Sequence, residues 1–293
     1  MLKSNNQGNL FCFGLGYSAQ FLAKRLIPKN WLVSGSYRDS NAITSIKEIG
    51  VSVYLYDGNR VSSKILDAIH KATHILISIP PQESGDVVLQ HFGSIFLKSK
   101  HLKWVGYISS TGVYGDSNGE WVDETSPLKP ITFRGQRRVE VESDWLKLQK
   151  DYNLPVIIFR CVGIYGPERN LLVSIQQGRA KNINKPGLMF SRIHVEDLVQ
   201  TFEASMQSIR PGAIYNVSDD YPSPPSAAIE YACSLLNIKP LQPISYESAV
   251  LSEMARSFYQ ANKRVSNKKI KKELGINLQY PDYRAGLKAL LNE

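Results

Sequence analysis

Cysteine is scarce in this sequence and long hydrophobic runs are missing. The three cysteines, Cys12, Cys161 and Cys233, lie far apart, each in an apolar stretch. This pattern indicates buried thiols in a reducing compartment, and it excludes a disulfide framework or a cysteine-rich metal site. No run approaches the ~20 apolar residues that span a bilayer, and the first residues show no secretory pattern. We therefore expect a cytoplasmic protein with no membrane contact and no bound metal.

Acidic residues are also missing from one stretch near the C-terminal end. The chain has 35 basic and 26 acidic residues, and between Arg256 and Lys272 there are seven basic residues and no acid. A local patch of this kind suits an anionic small ligand or a solvated helix face better than a nucleic acid. Aromatic residues within the patch are limited to Phe258 and Tyr259. We expect a small anionic substrate as partner and no nucleic acid, and a homodimer is left open.

The length of 293 residues, with 43% hydrophobic and 21% charged residues, indicates a folded protein. Since domains average ~150 residues, we expect two units or one large α/β domain with an appendage. Short apolar runs alternate with helical patterns. The predicted strands are 9–13, 31–36, 51–56, 74–79, 103–109, 155–160 and 213–217, and the predicted helices include 18–27, 41–49, 87–97, 137–150 and 195–206. This alternation predicts an α/β fold with a doubly wound Rossmann parallel sheet. The Rossmann domain is expected over 1–165, with sheet elements from 190–218 returning to it, and a smaller substrate lobe over 166–189 and 219–293.

The first predicted strand runs directly into a glycine-rich turn and a helix. The turn reads Gly14-Leu15-Gly16-Tyr17-Ser18-Ala19. In such a motif the first glycine makes the tight turn, the second admits a pyrophosphate to the backbone, and the alanine lets helix and strand pack closely. The helix N-terminus then supplies amide donors. We predict a dinucleotide site formed by Gly14, Gly16, Tyr17, Ser18 and Ala19.

The end of the second predicted strand indicates which dinucleotide binds. An NAD site needs an acid there to accept from the ribose 2′-hydroxyl, whereas residues 34–38 read Ser-Gly-Ser-Tyr-Arg. Arg38 with Ser36 would suit a 2′-phosphate, which favours NADP over NAD; the alternative is that Arg38 is a surface cation. Asp57, after the third strand, is predicted to lie on the adenine side. Ser78 and Ser109, at the ends of the next strands, are assigned to the same site.

Several motifs together carry a resemblance that covers nearly the whole chain. Besides the glycine turn they are Ile108–Gly115, Asp123–Leu128, Arg160 with Ile164–Pro167, and Ile193–Leu198. In this order they resemble the extended short-chain dehydrogenase/reductase superfamily, and within it the NAD(P)-dependent epimerase/dehydratase branch, whose members commonly act on nucleotide sugars. The resemblance implies an oxidoreductase or isomerase.

The chain departs from that family at the reaction centre. Family members use a serine or threonine, then a tyrosine and a lysine four residues apart. Ser110 matches the serine, but Arg134 stands in the place of the tyrosine and Arg138 in that of the lysine. An arginine does not give up its proton usefully. Arg138 would still hold the nicotinamide ribose, and Arg134 would favour an anionic substrate.

A hydroxyl from elsewhere has to replace the missing tyrosine. Tyr114 and Tyr165 both follow predicted strands, and either would supply the proton; the alternative for each is packing in the core. The family resemblance further implies that basic residues of the smaller lobe hold a diphosphate. Arg169, Arg192 and Arg264, with Tyr259, are the candidates, the alternative being solvated surface cations. Two functions stay open: an enzyme on a nucleotide-linked or phosphorylated sugar, and a catalytically reduced NADP-binding sensor or partner-binding module.

Overall fold

The computed structural model describes residues 7–38 and 48–291, apart from the side chain of Met254. The chain divides into two compact units. Unit 1 consists of Met1–Ser109, Arg137–Arg160 and Val199–Tyr215, and unit 2 of Ser110–Gln136, Cys161–Leu198 and Asn216–Glu293. Residues 110–136, which the sequence analysis assigned to the Rossmann domain, therefore group with unit 2.

The described residues contain a strand at each of the seven predicted places and, in addition, six short strands that were not predicted. The strands are β1 (Gly8–Phe13), β2 (Trp31–Tyr37), β3 (Ser52–Leu55), β4 (His74–Ile77), β5 (Trp104–Ser110), β6 (Trp121–Val122), β7 (Val156–Cys161), β8 (Gly163–Tyr165), β9 (Asn182–Asn184), β10 (Arg192–His194), β11 (Ile214–Val217), β12 (Pro243–Ser245) and β13 (Arg264–Val265). Seven of them form one sheet in the order β11-β7-β5-β4-β1-β2-β3. β1 pairs in parallel with both β2 and β4, so the direction of winding reverses at β1. Open sheets of this type bind ligands at the carboxyl ends of the strands beside such a reversal.

Helices follow most of these strands. They are α1 (Tyr17–Leu26), α2 (Ser63–Lys71), α3 (Val87–Lys98), α4 (Phe133–Tyr152), α5 (Leu171–Gln176), α6 (Val195–Gln207), α7 (Pro225–Leu235), α8 (Glu253–Gln260), α9 (Lys268–Leu274) and α10 (Tyr283–Leu290). The helix predicted over 41–49 lies almost wholly outside the described residues. Helix α2 was not predicted. It begins after Ser62, whose hydroxyl accepts from the amide of Ile65.

The core of unit 1 is aromatic and lies against the sheet. Phe13 contacts Phe92 at a ring-centroid distance of 4.8 Å, and Trp145 of α4 stacks near Tyr107 of β5. All six residues of β7 are buried, as expected for a central parallel strand that helices cover on both faces. The predicted α/β fold with a parallel Rossmann sheet is confirmed.

Unit 2 is built from short elements around a smaller core. Its parallel strand pairs are β8–β10, β9–β12 and β6–β13. Helices α5, α7 and α10 share an apolar cluster that includes Leu172, Ile229 and Leu287. Within the described ranges no helix is both long and apolar enough to cross a membrane. The same ranges hold no group of three or more His, Cys, Asp or Glu suited to a metal ion.

Candidate functional site

The glycine turn after β1 has the geometry that its sequence predicts. Gly14 has a φ of +88°, which favours glycine, and a Cβ there would lie 2.7 Å from the Ser78 hydroxyl. Gly16 precedes α1 without a side-chain cap, and a Cβ built on it meets nothing within 4 Å. Ala19 is fully buried. The space beside Gly16, directly before α1, is thus open, which is where such a motif accepts a pyrophosphate.

Two serines hold this turn in place. The Gly14 amide donates to the Ser36 hydroxyl at 3.0 Å, and the Ser78 hydroxyl donates to the Gly14 carbonyl at 2.6 Å. Ser36 is 1% exposed. This corrects the expectation that Ser36 contacts a 2′-phosphate, because its hydroxyl is buried under the turn. Ser78 likewise supports the turn through backbone contacts.

The remaining predicted cofactor residues differ in their surroundings. Tyr17 and Ser18 begin α1 and are half-buried, and Arg38 is exposed just after β2. Asp57 is exposed, and its carboxylate accepts from the amides of Asn59 and Arg60. These backbone hydrogen bonds lower the pKa of Asp57. Asp57 therefore stays ionised in a tight turn, and its contact with adenine stays a prediction.

A buried polar cluster joins β5, α4 and β7 in unit 1. Arg160 donates to Glu142 Oε2 from Nη2 at 2.7 Å and also from Nε. Each of the two residues is 2% exposed. Ser109 donates its hydroxyl hydrogen to Glu142 Oε1 at 2.5 Å. Ser109 is equally buried, which corrects its assignment to the cofactor site. Sequence reasoning missed this cluster, although an arginine within the apolar run of β7 is a signal for a buried acid.

Arg138 lies one helical turn before Glu142 on α4. Its Nη1 donates to the Ile108 carbonyl at 3.0 Å, so α4 contacts β5 at two successive turns. The side chain is half-buried. A guanidinium has more N–H donors than this contact uses. Arg138 can therefore both anchor α4 and bind a cofactor hydroxyl.

Ser110 is a predicted catalytic residue whose hydroxyl hydrogen is available for a new hydrogen bond. It is half-buried, and its hydroxyl accepts from the Gly112 amide at 3.1 Å, capping the 3-10 turn Thr111–Tyr114. No acceptor for its hydroxyl hydrogen is found in the described part of the chain. Ser110 is therefore able to donate to a substrate oxygen. Arg134, on the first turn of α4, is exposed.

The two candidate tyrosines are buried in hydrogen-bonded packing. Tyr114 is 1% exposed and donates to Asn216 Oδ1 at 2.7 Å. Tyr165 donates to the Asp282 carbonyl at 3.4 Å, and a Cβ at Gly286 would lie 2.0 Å from its hydroxyl oxygen. Burial raises the pKa of Tyr165 well above its usual value. These environments match the packing alternative and correct the expectation that either tyrosine replaces the missing proton donor.

Lys263 is a residue near the Ser110 turn that the sequence analysis did not identify. Its ammonium donates to the Gly115 carbonyl at 3.0 Å, and the side chain is buried. Desolvation lowers its pKa to about 8. The lysine thus holds the backbone directly after the 3-10 turn. In the sequence, only its position among polar residues could have pointed to this role.

The predicted substrate residues separate into two groups. Arg192 and Tyr259 lie close enough for the arginine to lower the tyrosine pKa against the effect of burial. Arg264, by contrast, donates from Nη1 to the Gly119 carbonyl beside the β13–β6 pair, and its contact with a substrate stays a prediction. Arg169 is exposed in a turn with Gly166.

Comparisons with known proteins agree with this architecture. The profile of the NAD dependent epimerase/dehydratase family matches residues 96–218. Protein YeeZ of Escherichia coli K12 is 28% identical over 280 residues, which cover 92% of this chain and 95% of that protein.

Solved structures extend the comparison. A functionally unknown conserved protein from Silicibacter pomeroyi is 44% identical and covers 98% of this chain and 99% of its own, with a TM-score of 0.89. The dTDP-glucose 4,6-dehydratase of Bacillus anthracis, solved with NAD, shares the fold with a TM-score of 0.75 at 16% identity, over 97% of this chain and 96% of that one. The family model matches residues 96–218 and the fold is shared, so this chain is similar to the NAD dependent epimerase/dehydratase family over that part of its length.

Proposed function

We propose that the chain is an NAD(P)-dependent oxidoreductase or epimerase-like enzyme that acts on a nucleotide-linked or phosphorylated sugar. The observation that carries this proposal is the glycine turn. Gly14 is fixed between the hydroxyls of Ser36 and Ser78, while Gly16 leaves the start of α1 open. A side chain at either glycine would occupy space that the turn or a pyrophosphate needs, so the residues present fit a dinucleotide.

NADP is the cofactor that the end of β2 supports. Residues 34–38 contain no carboxylate, so an acceptor for the 2′-hydroxyl of NAD is missing from that strand end. Arg38 is exposed there, and a guanidinium binds a phosphate with two parallel hydrogen bonds. The preference for NADP therefore rests on Arg38 alone, since Ser36 is buried.

The chemistry divides between the cofactor and the side chains. A bound nicotinamide supplies or accepts hydride. Ser110 would donate a hydrogen bond to the reacting substrate oxygen, and the fixed charge of Arg134 would stabilise negative charge that develops on the substrate. Arg138 would hold the nicotinamide ribose. Neither arginine releases a proton, and a serine hydroxyl is too weak an acid to do so. The proton is therefore expected to come from water, while Ser110 keeps its proton and hydrogen-bonds the substrate oxygen.

The test is isotopic. Purified protein is incubated with NADPH that carries deuterium at C4 and a panel of sugar nucleotides and sugar phosphates, and the products are analysed by mass spectrometry. Deuterium in one sugar, absent with the Gly16→Ala variant, supports the proposal. A parallel incubation with NADP⁺ and the same panel covers an epimerase-like reaction, in which the hydride leaves the sugar and returns to it, and it is read as a change in the configuration or mass of the sugar. If the cofactor binds and neither incubation changes a sugar, the enzyme proposal is contradicted.

A second function is favoured by one specific observation. Arg134 and Arg138 replace the family's tyrosine and lysine, and the two other candidate tyrosines are buried. A chain that binds the cofactor without turnover would serve as a redox sensor or partner-binding module. Tight NADPH binding without hydride transfer, together with altered amide hydrogen exchange on binding, is the result that identifies it.

A further inference from the structure

Arg192 of β10 carries a charge without a counter-charge at contact distance. Its Nη1 donates to the Phe190 carbonyl at 3.2 Å and to the Ser223 hydroxyl at 2.9 Å. Its Nε and Nη2 hydrogens have no partner among the residues that the structure describes, and no carboxylate there pairs with it. Desolvation lowers the pKa of Arg192. A largely desolvated arginine with unused donors is costly unless an anion completes it.

Aromatic rings surround the guanidinium. The ring of Phe190 lies 5.8 Å from it and that of Tyr283 lies 5.6 Å away. Tyr259 packs edge-on against Phe190 at 5.3 Å and is half-buried. Such rings fix the plane of the guanidinium and exclude water from its faces. Rings around the guanidinium of Arg192 therefore favour a planar anion that binds in the plane of the guanidinium.

A buried acid, Asp219, neighbours Arg192 through the backbone. The amide of Asp219 donates to the carbonyl of Arg192 at 2.7 Å, and Asp219 is 1% exposed. Its Oδ2 is buried without a hydrogen-bond partner in the described ranges. Desolvation raises the pKa of Asp219 well above its ordinary value, against the opposing charge of Arg192. Burial thus disfavours the charged form of this carboxyl group.

We infer that Arg192, with Ser223 beneath it and the rings of Phe190 and Tyr283 around it, forms a subsite for a carboxylate group of the substrate. The identification of the ligand as a sugar acid rests on the proposed function, whereas the anion subsite itself does not. The unused donors of Arg192 match the two oxygens of a carboxylate. A sugar acid would bring both that carboxylate and an apolar ring face.

Charge balance favours a carboxylate over a phosphoryl group. The guanidinium of Arg192 brings one positive charge to the subsite, and a carboxylate cancels that charge. A phosphate dianion would leave a negative charge in a poorly solvated place. The single arginine therefore indicates a monoanionic ligand group.

The experiment follows the arginine itself by NMR. The Nε–Hε signal of Arg192, assigned from the Arg192→Lys variant, is titrated with D-glucuronate and, as the neutral counterpart, with D-glucose. We expect a saturable shift with D-glucuronate and none with D-glucose. Affinity should fall at least ~10-fold in Arg192→Gln, with an intermediate loss in Arg192→Lys. The Asp219→Asn variant, which removes the neighbouring carboxyl group, should retain binding.

Arg284 provides the matched control. Its guanidinium lies 4.7 Å from the same Tyr283 ring, but it is exposed, so Arg284→Gln should leave D-glucuronate binding unchanged. No shift of the Arg192 signal, an equal response to D-glucose, or tighter binding of inorganic phosphate would each overturn the inference. Hydride transfer is measured separately. Binding without transfer contradicts only the enzyme proposal, and transfer without D-glucuronate binding contradicts only the subsite.

Discussion

Glu142 and Arg160 form an ion pair that is sealed from solvent and joins α4 to β7. The two side chains are 2% and 3% exposed, and Ser109 of β5 donates to the same carboxylate. One carboxylate therefore fixes three elements next to the strand end that carries Ser110. Because Arg138 lies one turn earlier on α4, the pair also determines where that arginine is held.

Removing one member of this pair should be strongly destabilising. Glu142→Gln leaves the Arg160 charge buried without a counter-ion, which typically costs about 3–5 kcal/mol of the free energy of unfolding. Urea denaturation measures the loss. Asp144→Asn, an exposed change on the same helix, should stay within about 0.5 kcal/mol. A small effect of Glu142→Gln would mean that Arg160 finds another partner.

Substitution of Gly14 should lower stability, whereas substitution of Gly16 should lower cofactor affinity. Gly14→Ala places a side chain at a φ of +88° and against Ser78, so it should lower the unfolding free energy by about 1–3 kcal/mol even without cofactor. Gly16→Ala meets nothing nearby and should leave stability within about 0.5 kcal/mol while weakening dinucleotide binding. Thermal unfolding and calorimetric titration separate the two effects. Equal destabilisation by both variants would contradict this geometry.

Cofactor preference should depend on Arg38. Calorimetric titration is expected to show NADPH binding at least ~10-fold tighter than NADH, a difference of about 1.4 kcal/mol. Arg38→Ala should remove most of that difference without abolishing binding. Ser36→Ala should weaken both cofactors alike, because Ser36 contacts the turn. Equal native affinities for NADPH and NADH would show that Arg38 is only a surface cation.

Substitution of Ser110 should lower kcat, whereas substitution of the buried tyrosines should not. Once a substrate is found, Ser110→Ala should reduce kcat by about 10²-fold or more, with cofactor affinity unchanged. Tyr114→Phe removes the hydrogen bond to Asn216 and should cost about 1–3 kcal/mol of stability, with kcat preserved in the folded protein. A large loss of kcat in Tyr114→Phe or Tyr165→Phe, without loss of stability, would restore the tyrosine as proton donor.

His194 should make the chain less stable in mild acid. It is 1% exposed, and burial lowers its pKa to about 4. The unfolded chain binds a proton at His194 below its ordinary pKa of ~6.5, so the unfolding free energy falls as the pH drops from about 6.5 to 4, by on the order of 3 kcal/mol. His194→Asn should flatten that slope.

The slope has to be compared between variants, because buried acids act in the opposite sense. Burial raises the pKa of Asp86 and of Asp219, and a raised carboxyl pKa adds stability as the pH falls. The exposed His101→Asn variant corrects for the loss of a titratable side chain. Identical slopes in native protein and His194→Asn would contradict the assignment.

The sheet was predictable because its signals are local. Each central strand is a short apolar run, and the glycine turn follows β1 directly. Helix α2 was missed although it carried a local signal, the capping Ser62. Burial of the tyrosines could not be predicted from local signals, because Tyr114 hydrogen-bonds Asn216, which lies 102 positions later in the sequence. Burial of Ser36 is likewise a tertiary result, because its hydroxyl accepts from Gly14 in the turn after β1.

The turn around Gly14 has a kinetic consequence. Its backbone is held from one side by Ser36 and from the other by Ser78, so folding has already ordered the segment that meets the pyrophosphate. Association then loses little chain entropy at this point. Binding of the dinucleotide should be a single fast phase, with affinity differences among turn variants appearing mainly in the dissociation rate.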